Sequence, residues 1–386
     1  MKITVRYVFF FSVVLLLYGL VNFYIIHNGI FLFLGNHTAK WAWTVSIIFL
    51  AAAFPAGRWL EKASPGKFST VLIWIGAFWL GIMVYLFLQL LVIDLIRVLD
   101  KGFRFLPSWF NTHPAKVRSD LALVVASVSI IFVAGGFINT WFPKIKTLKL
   151  IIYKKAGKLT TLHIVAFSDM HLGTLIGKNR LSHLVSKVNA LDPDIILIPG
   201  DIIDEDVGTV VRGGAGLMLQ QLKARYGTYA VTGNHEYIGG VDRARTFLTQ
   251  NGVKLLSDTT LLIDNSFYLA GREDLSMNWF GKKGRKPLDI IVEGVQKELP
   301  LILLDHQPFH LKQAQQSGVD LQLSGHTHHG QLWPFNGITN LIYERSRGYL
   351  RKENTHYYVS CGVGGWGPPI RTVSRPEILD IYLQFI

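Results

Sequence analysis

Ten of the thirteen histidines lie after residue 150, and several follow short apolar runs directly, beside Asp or Asn. Five such places occur in order. After LHIVAFS comes Asp169-Met170-His171, and after IILIP comes Gly200-Asp201 with Asp204 close behind. After YAVT comes Gly233-Asn234-His235-Glu236, after LILL comes Asp305-His306, and after LQLS comes Gly325-His326-Thr327-His328. Imidazoles, carboxylates and one amide oxygen form a mixed nitrogen and oxygen ligand set with no thiolate. That set suits Mn, Fe or Zn, and it is too rich in imidazole for Mg or Ca. It offers more ligands than one ion takes, so two ions sharing a carboxylate use it economically.

The preceding runs are short, apolar and β-rich, and they read as buried strands. They cover 162–168, 195–199, 229–232, 301–304 and 321–323, with helical patterns at 181–191 and 241–250 between them. Further strands are expected at 261–270, 356–360 and 378–385. In an open α/β sheet, ligands bind beyond the carboxyl ends of the strands, where loops distant in sequence meet. A layered α/β domain over 148–386 is therefore expected, large enough for a substantial core.

The first 147 residues differ sharply. Long stretches without charge predict about four transmembrane helices, with spans near 7–26, 41–57, 68–93 and 121–143. The first run is too long for a cleaved signal peptide and has no clear small-residue cleavage site. The net charge of +13 is concentrated here, since residues 1–150 carry 14 basic and 4 acidic residues. Basic residues flanking apolar spans point to a bilayer rather than to nucleic acid. Counted over the loops of four spans, eleven basic residues share one side against six on the other. That bias expects an integral membrane protein of the plasma membrane, with both ends and the α/β domain in the cytoplasm. The connector with Arg97, Lys101 and Arg104 among aromatic residues reads as an interfacial segment or a plain amphipathic link. The lone Cys361 excludes an internal disulfide framework and any multi-cysteine metal site.

The five motifs in order, DMH, GDIID, GNHE, DHQP and GHTH, resemble the calcineurin-like metallophosphoesterase superfamily over roughly residues 160–330. SDMHLG, GHTHHGQLWP and SCGVGGWGPPIR resemble its membrane-associated bacterial YkuE/YaeI-like branch. The resemblance implies a four-layer α/β sandwich and two divalent metal ions. It implies that Asp169, His171 and His328 hold one ion and that Asp201 bridges to the second. Asn234, His306 and His326 would complete the second site, and His235 would act as the acid beside the scissile phosphate. Hydrolysis of phosphodiester or pyrophosphate bonds by metal-activated hydroxide is the implied reaction. The membrane spans favour a phospholipid or lipid-linked substrate. A soluble nucleotide, or a non-catalytic sensor or scaffold role, is the alternative, and a transporter ranks last. Membrane lipids are expected partners; no nucleic acid and no obligate protein partner are expected.

Other residues read more plainly. Asp204 and Glu236 are expected to orient ligands or cap turns rather than to bind metal, and Asp274 is a further candidate for such a part. The i, i+2 spacing of His326 and His328 on an extended segment would put both on one face, with His329 turned away. His163, His183, His310 and His356 read as ordinary fold histidines, and Cys361 as a small buried residue. The basic stretch 344–352 could receive a phosphate or an anionic lipid headgroup, although a solvated loop is slightly favoured. Residues 362–367 read as an irregular loop near the site.

Overall fold

The computed structural model describes residues 2–280 and 284–386. The chain divides into two compact units, Met1–Phe137 with Gly367–Ile370, and Ile138–Trp366 with Arg371–Ile386.

The first unit is helical. Its long helices are α1 (Lys2–Ile30), α2 (His37–Ala63), α3 (Lys67–Phe103) and α4 (Pro114–Asn139), each long and apolar enough to cross a membrane. Small residues let α2 and α3 approach closely, as lipid-embedded helices favour. A Cβ on Gly76 would lie 2.2 Å from Phe54 N, and one on Gly57 would lie 2.8 Å from Ile73 N. Polar side chains join the helices internally: Trp79 Nε1 donates to Asn22 Oδ1 at 3.0 Å, and Gln89 Nε2 donates to Ser129 Oγ at 2.8 Å. Many of the large apolar side chains on these helices remain exposed, among them Leu15, Trp41, Phe68 and Ile130, as a lipid-facing surface requires.

The second unit holds two six-stranded sheets among the described residues. The strands are β1 (Lys144–Ile152), β2 (Thr161–Ala166), β3 (Ile195–Pro199), β4 (Thr228–Val231), β5 (Val253–Leu255) and β6 (Thr259–Ile263). They continue as β7 (Phe267–Gly271), β8 (Leu301–Leu304), β9 (Leu321–Ser324), β10 (Gly348–Lys352), β11 (Thr355–Val359) and β12 (Glu377–Phe385). One sheet runs β1-β12-β2-β3-β4-β5 and the other β10-β11-β9-β8-β7-β6. Period-two alternation makes the layers. Leu162, Ile164, Ile195 and Leu197 meet Ile302, Leu304 and Leu323 in a core between the sheets. The intervening Val165, Ile196 and Ile198 point outward to the helices α5 (Lys178–Asn189) and α7 (Val241–Gln250), which follow β2 and, after the short helix α6 (Asn234–Gly239), β4. Leu301 and Leu303 face outward from the other sheet into a third core with Leu311 and Ala314. The result is the four-layer α/β sandwich expected after an α-helical membrane region.

Strands β2, β3 and β4 are parallel to one another, as are β8 and β9. Parallel pairing puts their carboxyl ends at one side, so the histidine-bearing loops emerge together.

Four local readings are corrected. The run 261–270 is a hairpin, not one strand: Asp264 and Asn265 turn it with φ of 49° and 48°. Both turn residues are left-handed, the conformation a tight hairpin demands and one that Asp and Asn adopt readily. The basic stretch 144–152 does more than flank a span, because it is β1, paired in parallel with β12. Residues 348–352 of the presumed loop form β10, antiparallel to β11. His328 and His329 lie in a short 3-10 turn, not on an extended segment, and His326, His328 and His329 have φ of 71°, 46° and 51°.

Candidate metal centre

The loops after β2, β3, β4, β8 and β9 bring all eight singled-out residues into one place, with Asn234 and His326 half-buried and the other six buried. Asp169, His171 and His328 form one group whose ligand atoms lie within 4.8 Å of one another, and Asp201, His306 and His326 form a second. Asn234 Oδ1 joins the second group, 3.2 Å from His306 Nε2 and 2.8 Å from His326 Nδ1. In the first group His171 Nε2 is 3.0 Å from His328 Nε2. Asp201 stands between the groups: its Oδ2 is 3.1 Å from His306 Nε2 and 3.9 Å from His171 Nε2. The extended-segment premise for His326 and His328 fails, yet the left-handed turns still direct them to different groups.

The backbone here is strained in a consistent way. Asp169, His171 and Asp201 have φ of 52°, 49° and 51°, in the same left-handed region as His326 and His328. Such backbone costs on the order of 1 kcal/mol per non-glycine residue and persists where function requires it. Glycines give the room. A Cβ on Gly233 would fall 2.1 Å from Asp201 Oδ1, and one on Gly325 would fall 2.3 Å from Asp169 Oδ2. A Cβ on Gly200 would meet His306 Nδ1 at 2.5 Å.

Fixed partners orient the ligands. His306 Nδ1 donates to Pro199 O at 2.8 Å, which leaves Nε2 facing Asp201 and Asn234. His326 N donates to Asp169 Oδ1 at 2.7 Å, and Ser168 Oγ donates to Asp169 Oδ2. His235 N donates to Asp201 Oδ1 at 2.9 Å, and its Nδ1 is 3.2 Å from Asp204 Oδ1. Glu236 accepts from Gly233 N and Ile203 N, so it ties two ligand loops together as the sequence led one to expect. Asp274 is buried and accepts from Gln307 Nε2, outside both groups. Asp305, beside His306, turns away to accept from Arg272 and Arg285 at 3.0 and 2.9 Å. His329 Nδ1 contacts Ser346 Oγ, away from the ligands.

The electrostatics favour bound cations. Burial pushes His171 and His326 down to about 3, so both imidazoles are neutral and able to bind metal. Burial also raises Asp169 to about 6, helped by neighbouring Asp201. Burial opposes charge on His306, but Asp201 outweighs it and holds the imidazole well above its usual range. Burial likewise opposes charge on His235, yet Asp201 and then Asp204 raise it to about 9. Neutral imidazoles at His171 and His326 beside the Asp169 and Asp201 carboxylates in one dry place fit divalent ions. His171 Nδ1 is buried without a hydrogen-bond partner, and His171 also meets Asp204 and His235, with ligand atoms within 4.8 Å of one another.

Two residues were given no role from the sequence. Arg371 is fully buried; its Nη2 donates to His328 Nδ1 at 2.8 Å and its Nε to Gly364 O at 2.8 Å. A guanidinium only donates, so Nδ1 accepts and the neutral His328 ring carries its proton on Nε2, facing His171. Metal taken up there would displace that proton. The Trp366 ring lies 5.9 Å from the His235 ring. Both residues belong to the GWGPPIR run, whose irregular pattern carried no chemical signal of its own.

Comparison with known proteins agrees. The calcineurin-like phosphoesterase family model matches residues 162–330. A zebrafish (Danio rerio) "transmembrane protein with metallophosphoesterase domain" is 34% identical over 276 residues, 68% of this chain and 62% of that protein. The chain thus spans less than two thirds of that relative's length. An Aquifex aeolicus metallophosphoesterase is 31% identical over 260 residues, 67% of this chain and 98% of that one. The Bacillus subtilis metallophosphoesterase YkuE is 31% identical, over 57% of this chain and 78% of its own length. With its four membrane-capable helices and its histidine- and aspartate-rich α/β unit, the chain is a membrane protein that belongs to the calcineurin-like phosphoesterase family.

Proposed function

We propose that the protein is a membrane-anchored phosphoesterase that holds two divalent ions and hydrolyses a phosphodiester or pyrophosphate bond of a phospholipid or lipid-linked substrate. The observation that carries this reading is the meeting of two Asp/His groups at Asp201, with His235 hydrogen-bonded to that same carboxylate. Asp169, His171 and His328 would hold one ion, Asn234, His306 and His326 the other, and Asp201 would contact both. Manganese suits this nitrogen and oxygen set. When bound, the ions supply Lewis acidity and lower the pKa of water.

The chain's own residues do the rest. Asp201 and Asp204 keep a proton on His235 at neutral pH, and a leaving alkoxide can take that proton. The Asp201 bond to the His235 amide fixes the loop that carries the acid. The glycines around the ligands leave room for a phosphoryl group to approach. The membrane helices favour a lipid substrate, and the basic-residue bias favours a cytoplasmic catalytic unit in the plasma membrane.

The test is hydrolysis of bis(p-nitrophenyl) phosphate and p-nitrophenyl phosphate by purified full-length protein in detergent, stripped with chelator and then given Mn²⁺. Manganese-dependent cleavage, faster for the diester, supports the reading. No cleavage of either compound with metal bound would refute hydrolysis of simple esters and favour the sensor role.

A further inference from the structure

A second cationic place lies in the α/β unit, outside the metal centre. Strands β1 and β10 are the terminal strands of the two sheets, and each pairs on one side only. Between them opens a cavity of about 620 Å³. Lys144, Lys146 and Lys149 of β1 line it from one side, and Arg347 and Tyr349 from the other. These residues are some 200 positions apart, and only the fold brings them together. The single carboxylate in the lining is Glu377. It is buried and already engaged: it accepts from Cys361 N at 3.1 Å and from Tyr358 Oη at 3.3 Å, with Arg347 Nη2 at 3.6 Å. The three lysines are exposed, and among the described residues no acidic side chain lies within ion-pair distance of their ammonium groups. Leu148 extends the lining with an apolar contact beside the charges, next to Leu150, which is buried in the core between the sheets.

Lys144 and Lys146, with Arg347 held beside Glu377, ring a concave, partly apolar space and make a receptor for an anion that carries a hydrophobic tail. Lysine supplies point charge, and arginine supplies planar donors that match phosphate oxygens. Lys144 follows the last membrane-capable helix by five residues in the chain, so the lysines of the lining are close in sequence to that helix. Juxtamembrane clusters of this kind attract acidic lipids, at about 1 kcal/mol for each basic residue.

We infer that the cleft between β1 and β10 binds the phosphate headgroup of an anionic phospholipid, at a site separate from the metal centre. The lipid phosphate meets Lys144, Lys146 and Arg347, and its glycerol backbone lies along Leu148. Bound lipid ties the first strand of the catalytic unit to the membrane surface. The inference does not depend on hydrolysis.

The test uses full-length protein in a neutral maltoside, treated with chelator so that lipid cannot be turned over. Calorimetric titration is made with dioctanoyl phosphatidylglycerol, dioctanoyl phosphatidylcholine and inorganic phosphate. The expected result is saturable binding of phosphatidylglycerol. Lys144→Gln with Lys146→Gln should weaken it about thirtyfold. Asp201→Asn should leave it unchanged, which separates this cleft from the metal centre. Both lysines are exposed, so their replacement spares the core. Four outcomes overturn the inference: no binding, equal binding of phosphatidylcholine, equal binding by the double variant, or inorganic phosphate bound as tightly as the lipid. The last would make the cleft a site for free anions only.

Discussion

The backbone amide of His235 donates to Asp201 Oδ1 at 2.9 Å, and this one bond joins the presumed acid to the carboxylate between the two ligand groups. Asp201 Oδ2 remains for His306 and His171. The loops after β3 and β4 are thereby locked as a unit, because Glu236 also accepts from Gly233 and Ile203. Ligand and acid cannot drift apart without breaking two buried hydrogen bonds, His235 N to Asp201 and Ile203 N to Glu236.

His235→Gln keeps that amide bond and removes the titratable ring. The metal content should stay at the wild-type level, while kcat on the diester falls about 10²–10⁴-fold. Elemental analysis beside steady-state kinetics checks both. Wild-type turnover in this variant would remove His235 from the chemistry.

Gly233→Ala places a Cβ 2.1 Å from Asp201 Oδ1 and 2.6 Å from the Asp201 backbone N. The carboxylate must shift, and activity should drop about 10²-fold with loss of metal. Gly337→Ala is the control, because a Cβ there meets nothing within 4 Å. It should leave activity and metal content unchanged. Equal behaviour of the two variants would contradict the close-packed cradle.

Arg371→Gln removes the donors to His328 Nδ1 and the Cys361 and Gly364 carbonyls from a fully buried position. Buried acceptors left unpaired cost about 1–3 kcal/mol each. The variant should melt markedly earlier and bind metal more weakly, as a melting curve and a metal titration would show. Unaltered stability would mean that the network carries no load.

Cys361 is fully buried, and burial, then Glu377, pushes its thiol up to about 12. The folded protein should therefore resist a thiol reagent at pH 8 and react fully once denatured. The sign of the stability effect follows from the raised value. The unfolded thiol ionises first, near 9.0, so its contribution is complete below that pH and is lost as pH rises toward 12. Between pH 8 and 10.5 the wild type should lose more stability than Cys361→Ala. Rapid labelling of native protein would show that the thiol is accessible.

Much of this was legible in the residues. Strands 195–199 and 301–304 end where they were placed, because a short apolar run followed by Gly-Asp or Asp-His leaves little freedom. The ligand loops were legible for the same reason: Asp or His recurred at successive strand ends. Beyond that, local pattern failed. Strand β1 looked like a membrane flank because its lysines mask the alternation, and only pairing with β12 makes it a strand. The turn at Asp264-Asn265 was hidden inside an apolar run. Arg371 gave no sign, since its partners His328, Gly364 and Cys361 come together only in the fold. The cationic cleft was half visible in 344–352, and its other half lay some 200 residues away.

The central claim is that Asp201 serves two ions at once. The most direct measurement is metal content per chain together with Mn²⁺-dependent hydrolysis of bis(p-nitrophenyl) phosphate, in wild type and in Asp201→Asn. The account expects two ions per wild-type chain. In the variant it expects metal loss and a fall in activity of at least about 10³-fold. An Asp201→Asn protein that keeps both ions and wild-type turnover would contradict it.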